Sequence, residues 1–278
     1  MLSVIKALME SLDLAVYSYV KPGAPHRFSP YFKDLHSFIS SFTSTLDTYA
    51  ACVKAGFSVA EGRMGFTNLK IGDFLRDALR LSSRRLGARN TPEFHLVMVP
   101  TVIASSYAIR IGSKNFIENF RKGLNDELLF NDVLETIKVY ESLKSYGGRY
   151  SSIIESLMLT PTKIKLEGVS VYDLYREIGE EDPVLNYFTR NLSTLISCSN
   201  VFVSTYLKYG DINKAAVMTY GNLVEELQNM KILNYLEKKS FTDLLKLDRE
   251  LHSKGISLQH MIPLLCMSIF LGLLSMQH

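Results

Sequence analysis

Apolar residues recur along this chain with the period of an α-helix rather than that of a β-strand. One face of the first predicted helix carries Leu2, Ile5, Leu8, Met9, Leu12 and Val16. The same period predicts helices over residues 2–19, 30–55, 69–86, 92–111, 113–122, 127–146, 149–158, 170–178, 183–208, 211–237, 240–253 and 257–276. Convincing strand alternation is missing from the sequence, so we predict an all-α protein.

Gly and Pro residues mark the places where the predicted helices end. The clearest interruptions are Gly147-Gly148, Thr160-Pro161-Thr162, Gly168, Asp182-Pro183 and Tyr209-Gly210-Asp211. We expect Gly210 to end one helix and Asp211 to cap the next, and Ser29-Pro30 is typical of a helix start. None of these breaks has the composition of a flexible linker, so we expect one compact domain over residues 1–278.

The C-terminal stretch 261–276 contains no charged residue. Two interpretations are open: a helix buried at the centre of the protein, and a membrane span. The stretch is short of the roughly 20 residues that cross a bilayer, and it contains Pro263 and Gly272. A helix that is apolar on every side is what the core of a large helical protein requires, so we favour a buried helix and no membrane partner.

Composition indicates a globular protein, because 47% of the 278 residues are apolar. The 31 Lys and Arg residues exceed the 28 Asp and Glu residues by only three, which does not favour a nucleic-acid partner. Paired spacing, which a disulfide framework or a zinc site would need, is absent from the three cysteines Cys52, Cys198 and Cys266. Lys6 and Glu10 interrupt the apolar N-terminus, so we expect no export signal and a cytoplasmic protein.

The first candidate site is a basic loop that reads Lys21-Pro22-Gly23-Ala24-Pro25-His26-Arg27. The two prolines and the glycine predict a stiff loop between two helices. Lys21 and Arg27 are expected to be charged at neutral pH, and His26 can be neutral or cationic there. The loop is therefore a candidate anion site. The alternative is an ordinary connection between helices with solvated charges.

The second candidate site is the polar run 87–95, which directly precedes an apolar helix. Asn90 or Thr91 can cap this helix, Pro92 suits its first turn, and Glu93 lies where a carboxylate favours the helix dipole. Backbone amides at such a helix start can also bind phosphate, and Glu93 is available for a metal or a proton. Simple capping and ligand binding both remain open.

The third candidate site is a charged stretch, residues 246–252, that leads through Gly255 to the apolar C-terminal helix. Asp248 and His252, four residues apart, would share one helix face and could meet a ligand there. The alternative is a solvated helix face with surface contacts. The sequence contains none of the GxxxxGK[ST], GxGxxG or HExxH motifs, so the familiar nucleotide and zinc motifs give no support.

Taken in order, these clusters resemble the motifs of the triphosphoribosyl-dephospho-CoA synthase family over almost the whole chain. The motifs that carry the resemblance are Lys21-Pro22-Gly23 followed by Asp34 and Phe38, Asn90-Thr91, residues 171–176, Asp248-Arg249-Glu250-Leu251 and Gly255-Ile256. The resemblance implies an all-helical enzyme that joins the ribose of ATP to the 2′-hydroxyl of dephospho-CoA or a related nucleotide acceptor, with release of adenine. ATP is then a substrate, and magnesium is expected if the protein is active.

The resemblance also implies roles for individual residues. Asp34 and Asp248 would be catalytic, and Asp34 and Glu93 would be metal ligands. Phosphate or nucleotide binding would fall to Lys21, Gly23, His26, Arg27, Asn90, Thr91 and Arg249. An apolar helical face is compatible with a homodimer.

This chain departs from the family pattern at several places. Glu93 and Phe94 occupy the region where the family has a glycine. The family has an Ala-Asp pair near the start of the final helix, and this chain has Leu258-Gln259 there, so the acidic residue is replaced by Gln259. Phe202 falls where an aspartate is expected. Because these carboxylates would hold magnesium against a triphosphate, an alternative is a catalytically impaired paralogue that acts as a nucleotide-binding or interaction protein.

Overall fold

We describe the fold from a computed structural model that covers residues 1–30, 35–83, 92–112 and 115–277, with the side chains of 36 and 37 left out. Within these ranges the chain forms α-helices joined by short connections and contains no β-strand. The all-α prediction is therefore confirmed. Short 3-10 turns at Phe66–Asn68 and Gln259–Met261 complete the regular structure.

The chain folds into two compact units, and each is built from separate stretches of sequence. Unit 1 comprises Met1–Ile5 and Ser40–Arg190, and unit 2 comprises Lys6–Ile39 and Asn191–Gln277. Two helices, α1 (Leu2–Tyr17) and α2 (Leu35–Thr43), contain residues of both units. The expectation of one domain over residues 1–278 stays a prediction.

The remaining helices divide between the two units. Those of unit 1 are α3 (Leu46–Ala60), α4 (Ile71–Ser83), α5 (Pro92–Ile111), α6 (Phe116–Leu129), α7 (Val133–Tyr146), α8 (Gly148–Ser156), α9 (Pro161–Glu167), α10 (Val171–Ile178) and α11 (Pro183–Arg190). Those of unit 2 are α12 (Leu192–Tyr209), α13 (Ile212–Gln228), α14 (Leu233–Lys238), α15 (Phe241–Ser253) and α16 (Ile262–Ser275).

Several helix ends follow the expected capping chemistry. Gly147, with φ of +82°, ends α7, and Gly210, with φ of +65°, ends α12. The Asp211 carboxylate accepts a hydrogen bond from the Lys214 amide at 3.0 Å and caps α13. These residues were predicted as breaks because glycine adopts positive φ without steric cost and aspartate satisfies the first amides of a helix.

Other boundaries differ from the prediction. The predicted 127–146 helix begins only at Val133, because Asp132 is extended and accepts from the Leu134 amide. The stretch predicted as one helix over 211–237 is broken at Asn229, which has a left-handed backbone with φ of +51°. Helix α9 was missed, because Thr160-Pro161 was interpreted as an interruption, whereas Thr160 caps the helix and Pro161 opens it.

Two further predicted helices are also divided in the structure. The predicted 183–208 helix is interrupted at Asn191, which precedes α12. The predicted 30–55 helix is divided between α2 and α3 at Ser44 and Thr45, whose hydroxyls bond to backbone carbonyls of the preceding turn. Such local side-chain bonds compete with the helical ladder and explain this break.

Helix α5 is the central helix of unit 1 and contacts α3, α4, α6 and α11. By length and composition alone it could span a membrane, but 83% of its most apolar 18-residue stretch is buried inside the structure. Pro100 lies in its middle and has no N–H, so the carbonyl of Leu96 lacks its helical donor. The hydroxyl of Tyr175 donates to that carbonyl at 3.1 Å. A side chain of α10 thus supplies the hydrogen bond that the proline removes.

Helix α16 occupies the core of unit 2 between α12 and α13, and every residue from Ile262 to Leu274 is buried. This confirms the predicted buried C-terminal helix. Its 14 residues span about 21 Å, which is short of a bilayer core. A Cβ at Gly272 would lie 2.8 Å from the Phe202 ring, so the glycine permits close packing of α16 on α12.

We expect Tyr175→Phe to lower the free energy of unfolding by about 1–2 kcal/mol, because the buried Leu96 carbonyl loses its donor. Urea unfolding followed by far-UV circular dichroism measures the change. Tyr235→Phe is the matched control, since Tyr235 is 46% exposed, and a shift within about 0.5 kcal/mol is expected there.

The same substitution made in a protein that also carries Pro100→Ala tests the reason for this effect. In a Pro100→Ala protein the restored N–H can bond to the Leu96 carbonyl. Tyr175→Phe should then lower the free energy of unfolding by clearly less than it does when Pro100 is present. An equal cost in both backgrounds would show that Tyr175 does not compensate for the proline.

Candidate functional site

The 21–27 loop of unit 2 is buried from Lys21 to His26. Two of its carbonyls accept bonds from distant elements: Pro22 from the Tyr220 hydroxyl at 2.5 Å, and Gly23 from the Leu258 amide at 2.7 Å. Gly23 has φ of +79°, and an added Cβ would lie 3.3 Å from the side chains of Leu251 and Leu258. Both the backbone conformation and the space therefore favour glycine.

Asp248 of α15 holds this loop. Its side chain is 1% exposed, and Oδ1 accepts a hydrogen bond from the Gly23 amide at 2.8 Å, across 225 residues of sequence. Oδ2 lies 3.4 Å from Nε2 of His26, and Oδ1 lies 3.7 Å from Nε2 of His252. The structure thus brings together three residues of the predicted site, Gly23, His26 and Asp248.

The hydrogen bonding of His26 fixes the orientation of its ring. Nδ1 accepts from the Phe28 amide at 3.2 Å, and the other ring nitrogen, Nε2, faces Asp248 at 3.4 Å. His26 is fully buried. The imidazole therefore connects the end of the loop to the carboxylate of α15.

Lys21 turns away from solvent. It is 0% exposed, and Nζ donates to the carbonyl and the hydroxyl oxygen of Ser18 at 2.8 and 2.9 Å. Burial lowers the pKa of Lys21 well below its ordinary value, and the nearby Arg27 charge lowers it further. The lowered pKa favours the neutral amine over the ammonium form expected from the sequence. The role of Lys21 in phosphate binding stays a prediction, and it would require the amine to leave Ser18.

The two arginines of the predicted site face solvent. Arg27 is exposed, with Nε donating to the Tyr17 carbonyl at 2.8 Å and Nη2 donating to Asn213 at 3.4 Å. Arg249 is exposed on α15, next in sequence to the buried Asp248. These guanidinium groups are accessible to an anion in unit 2.

Glu93 belongs to unit 1, in the first turn of α5. Burial raises its pKa to about 7, the nearby Asp182 also raises it, and its own backbone amide and Arg149 oppose the change. Asp182 is fully buried and accepts from the Tyr150 hydroxyl at 3.1 Å and from the Leu185 amide at 2.9 Å. Sequence reasoning missed Asp182 and Tyr150 as buried polar groups whose electrostatics are coupled to those of Glu93. The Asp182-Pro183 helix start was the available signal.

Three predicted site residues, Asp34, Asn90 and Thr91, lie outside the described residues, and their roles stay predictions. Across the part of the chain that the structure describes, no group of three or more His, Cys, Asp or Glu residues is arranged to hold a metal. Phe202, where the resemblance expects an aspartate, is fully buried against Gly272. The position at which the resemblance expects this aspartate therefore carries no carboxylate.

Comparisons with known proteins show a shared fold. No protein-family model and no curated protein matches the sequence. Among solved structures, the chain resembles the crystal structure of a "putative triphosphoribosyl-dephospho-coA synthase" from Archaeoglobus fulgidus. The TM-score is 0.54 at 18% sequence identity, and the match covers 85% of this chain and 98% of that chain. At this identity the likeness shows the fold alone.

We expect Asp248→Ala to destabilise the protein by about 1–3 kcal/mol, because the buried Gly23 amide loses its acceptor. Urea unfolding measures the loss, and amide hydrogen exchange at Gly23 should accelerate. Asp248→Asn keeps an acceptor oxygen and should cost less. Glu250→Ala, at an exposed position of the same helix, is the control. Equal unfolding midpoints for Asp248→Ala and Glu250→Ala would contradict the prediction.

Glu93 should make the stability of the protein pH-dependent. Its pKa in the folded state, about 7, is above the ordinary value of 4.5. Its stabilising contribution is therefore complete below pH 4.5 and is lost as the pH rises through 7. Melting temperatures over this window should fall less in Glu93→Gln than in the unsubstituted protein. Glu118→Gln, in the first turn of α6 and exposed, should leave the profile unchanged, and a matching change there would refute the assignment.

Proposed function

We propose that this protein is a transferase that moves the triphosphoribosyl group of ATP to the 2′-hydroxyl of dephospho-CoA or a related nucleotide acceptor. The observation that carries the proposal is the 2.8 Å hydrogen bond from the Gly23 amide to the Asp248 carboxylate. It joins two motifs of the family resemblance that lie far apart in sequence. The fold shared with the Archaeoglobus fulgidus protein supports the same reading.

In this reaction the glycosidic bond between adenine and C1′ of the ATP ribose breaks, and its electron pair leaves with adenine. The acceptor oxygen forms the new bond to C1′, and the hydroxyl proton passes to adenine or to solvent. Positive charge develops at C1′ in the transition state. The protein must therefore hold the triphosphate with cations and fix the two sugars in line.

Arg27 is the residue that we assign to the triphosphate, because its guanidinium is exposed and carries five N–H donors. We assign Asp248 to positioning, since its carboxylate holds Gly23 and faces His26. ATP is expected to bring magnesium with it.

A second candidate function is nucleotide binding without transfer. The observation that favours it is Phe202, whose ring is buried against α16 at a position where the resemblance expects an aspartate. Gln259 likewise stands where an acidic residue is expected. A protein that has lost these carboxylates keeps cationic contacts to phosphate but loses part of the catalytic charge.

The assay incubates the purified full-length protein with ATP, magnesium and dephospho-CoA, and mass spectrometry measures adenine and the coupled product. We expect equimolar adenine and product. Arg27→Ala should lower kcat/KM about 10-fold or more, because a charge-assisted contact to phosphate is lost. Lys54→Ala removes an exposed cation of unit 1 and should leave kcat/KM unchanged.

The outcomes separate the two functions. Saturable ATP binding that weakens in Arg27→Ala, without release of adenine, would select nucleotide binding without transfer. Absence of both ATP binding and product would overturn the proposal.

A further inference from the structure

Two phenylalanines of unit 2 remain half exposed although they contact each other. Phe28 is 48% exposed and Phe241 is 45% exposed. Their ring centroids lie 5.0 Å apart with an interplanar angle of 86°, an edge-to-face contact. Such a pair keeps apolar ring surface in water, where a flat ligand can reach it.

Both rings are anchored to the candidate site. The Phe28 amide donates to Nδ1 of His26, whose Nε2 faces Asp248. Phe241 is the first residue of α15, the helix that carries Asp248, and the Ser240 hydroxyl caps this helix by accepting from the Asp243 amide. The ring pair is thus held from the loop on one side and from the helix on the other.

A cationic residue directly precedes one of the two rings in the sequence. Arg27 precedes Phe28 in sequence and is exposed. Two of its nitrogens are used by Tyr17 and Asn213, and a guanidinium has five N–H groups in all. A ligand that combines a flat ring with a negative group would match both features. Nucleotides have this combination, because a stacking base is linked through ribose to phosphate.

We propose that Phe28 and Phe241 form the stacking surface for the purine base of the nucleotide, with Arg27 contacting its phosphates. This inference rests on the proposed function and adds the subsite that recognises the base. The edge-to-face arrangement leaves ring surface of each phenylalanine open to solvent, so a base can stack on one ring while it meets the edge of the other.

The chain contains no tryptophan, so Phe28→Trp and Phe241→Trp each introduce one fluorescent reporter at the surface in question. ATP should quench this fluorescence by stacking, whereas tripolyphosphate, which has no base, should not. A Phe130→Trp protein is the control, because Phe130 is 57% exposed in unit 1. Its fluorescence should respond to neither ligand.

Leucine substitutions separate stacking from simple apolar contact, since leucine keeps apolar volume without an aromatic face. By titration calorimetry, Phe28→Leu and Phe241→Leu should each weaken ATP binding about 10-fold and leave tripolyphosphate binding unchanged. Arg27→Ala should weaken both ligands. Phe130→Leu should affect neither, and circular dichroism confirms that all variants are folded.

Unchanged ATP affinity in both leucine variants, or equal losses for ATP and tripolyphosphate, would overturn the stacking surface and leave the transferase proposal standing. ATP binding that depends on both rings, without adenine release, would uphold the stacking surface and reject the transferase. Failure of the unsubstituted protein to bind ATP would overturn both. Self-association that both leucine variants abolish, with ATP affinity unchanged, would assign the rings to a second copy of the chain.

Discussion

The buried carboxylate of Asp248 is the group on which the arrangement of unit 2 depends. A carboxylate taken out of water is costly unless it is hydrogen-bonded or paired. Here the Gly23 amide and two imidazole nitrogens surround it. If the loop left α15, this buried side chain would lose its amide donor, so a buried hydrogen bond as well as packing fixes the position of the loop.

Unit 1 meets the same constraint in a different way. Pro100 removes a donor from the central helix, and Tyr175 replaces it from outside the helix. Glu127 of α6 is fully buried, and neither carboxylate oxygen has a hydrogen-bond partner among the described residues. Burial raises the pKa of Glu127 well above its ordinary value, which favours the protonated form of this side chain. The Leu96 carbonyl thus receives a donor from another helix, and burial shifts Glu127 towards its neutral form.

Helical periodicity and the chemistry of helix ends made most of the fold predictable. Gly147, Gly210 and Asp211 act as predicted because their effects are local. The break at Asn229 was missed because a left-handed asparagine leaves only a weak signal in sequence. The burial of Lys21 was also missed, since a lysine in a loop with two prolines is usually a cation at the surface. The buried acceptors of Lys21 are the carbonyl and hydroxyl oxygens of Ser18, just after the end of α1, and they are evident only in the structure.

Unit 2 is built from two stretches that are separated in sequence by unit 1, and this has a consequence for biosynthesis. Lys6–Ile39 leaves the ribosome well before its partner segment Asn191–Gln277 is synthesised. The 21–27 loop must therefore wait without its carboxylate until Asp248 has emerged. Domains whose contacts are far apart in sequence close slowly, because the entropy of joining distant segments is lost before the contacts form. Unit 1, which consists almost entirely of the continuous stretch Ser40–Arg190, can fold during synthesis, whereas the proposed nucleotide site can assemble only after Asp248 has been synthesised.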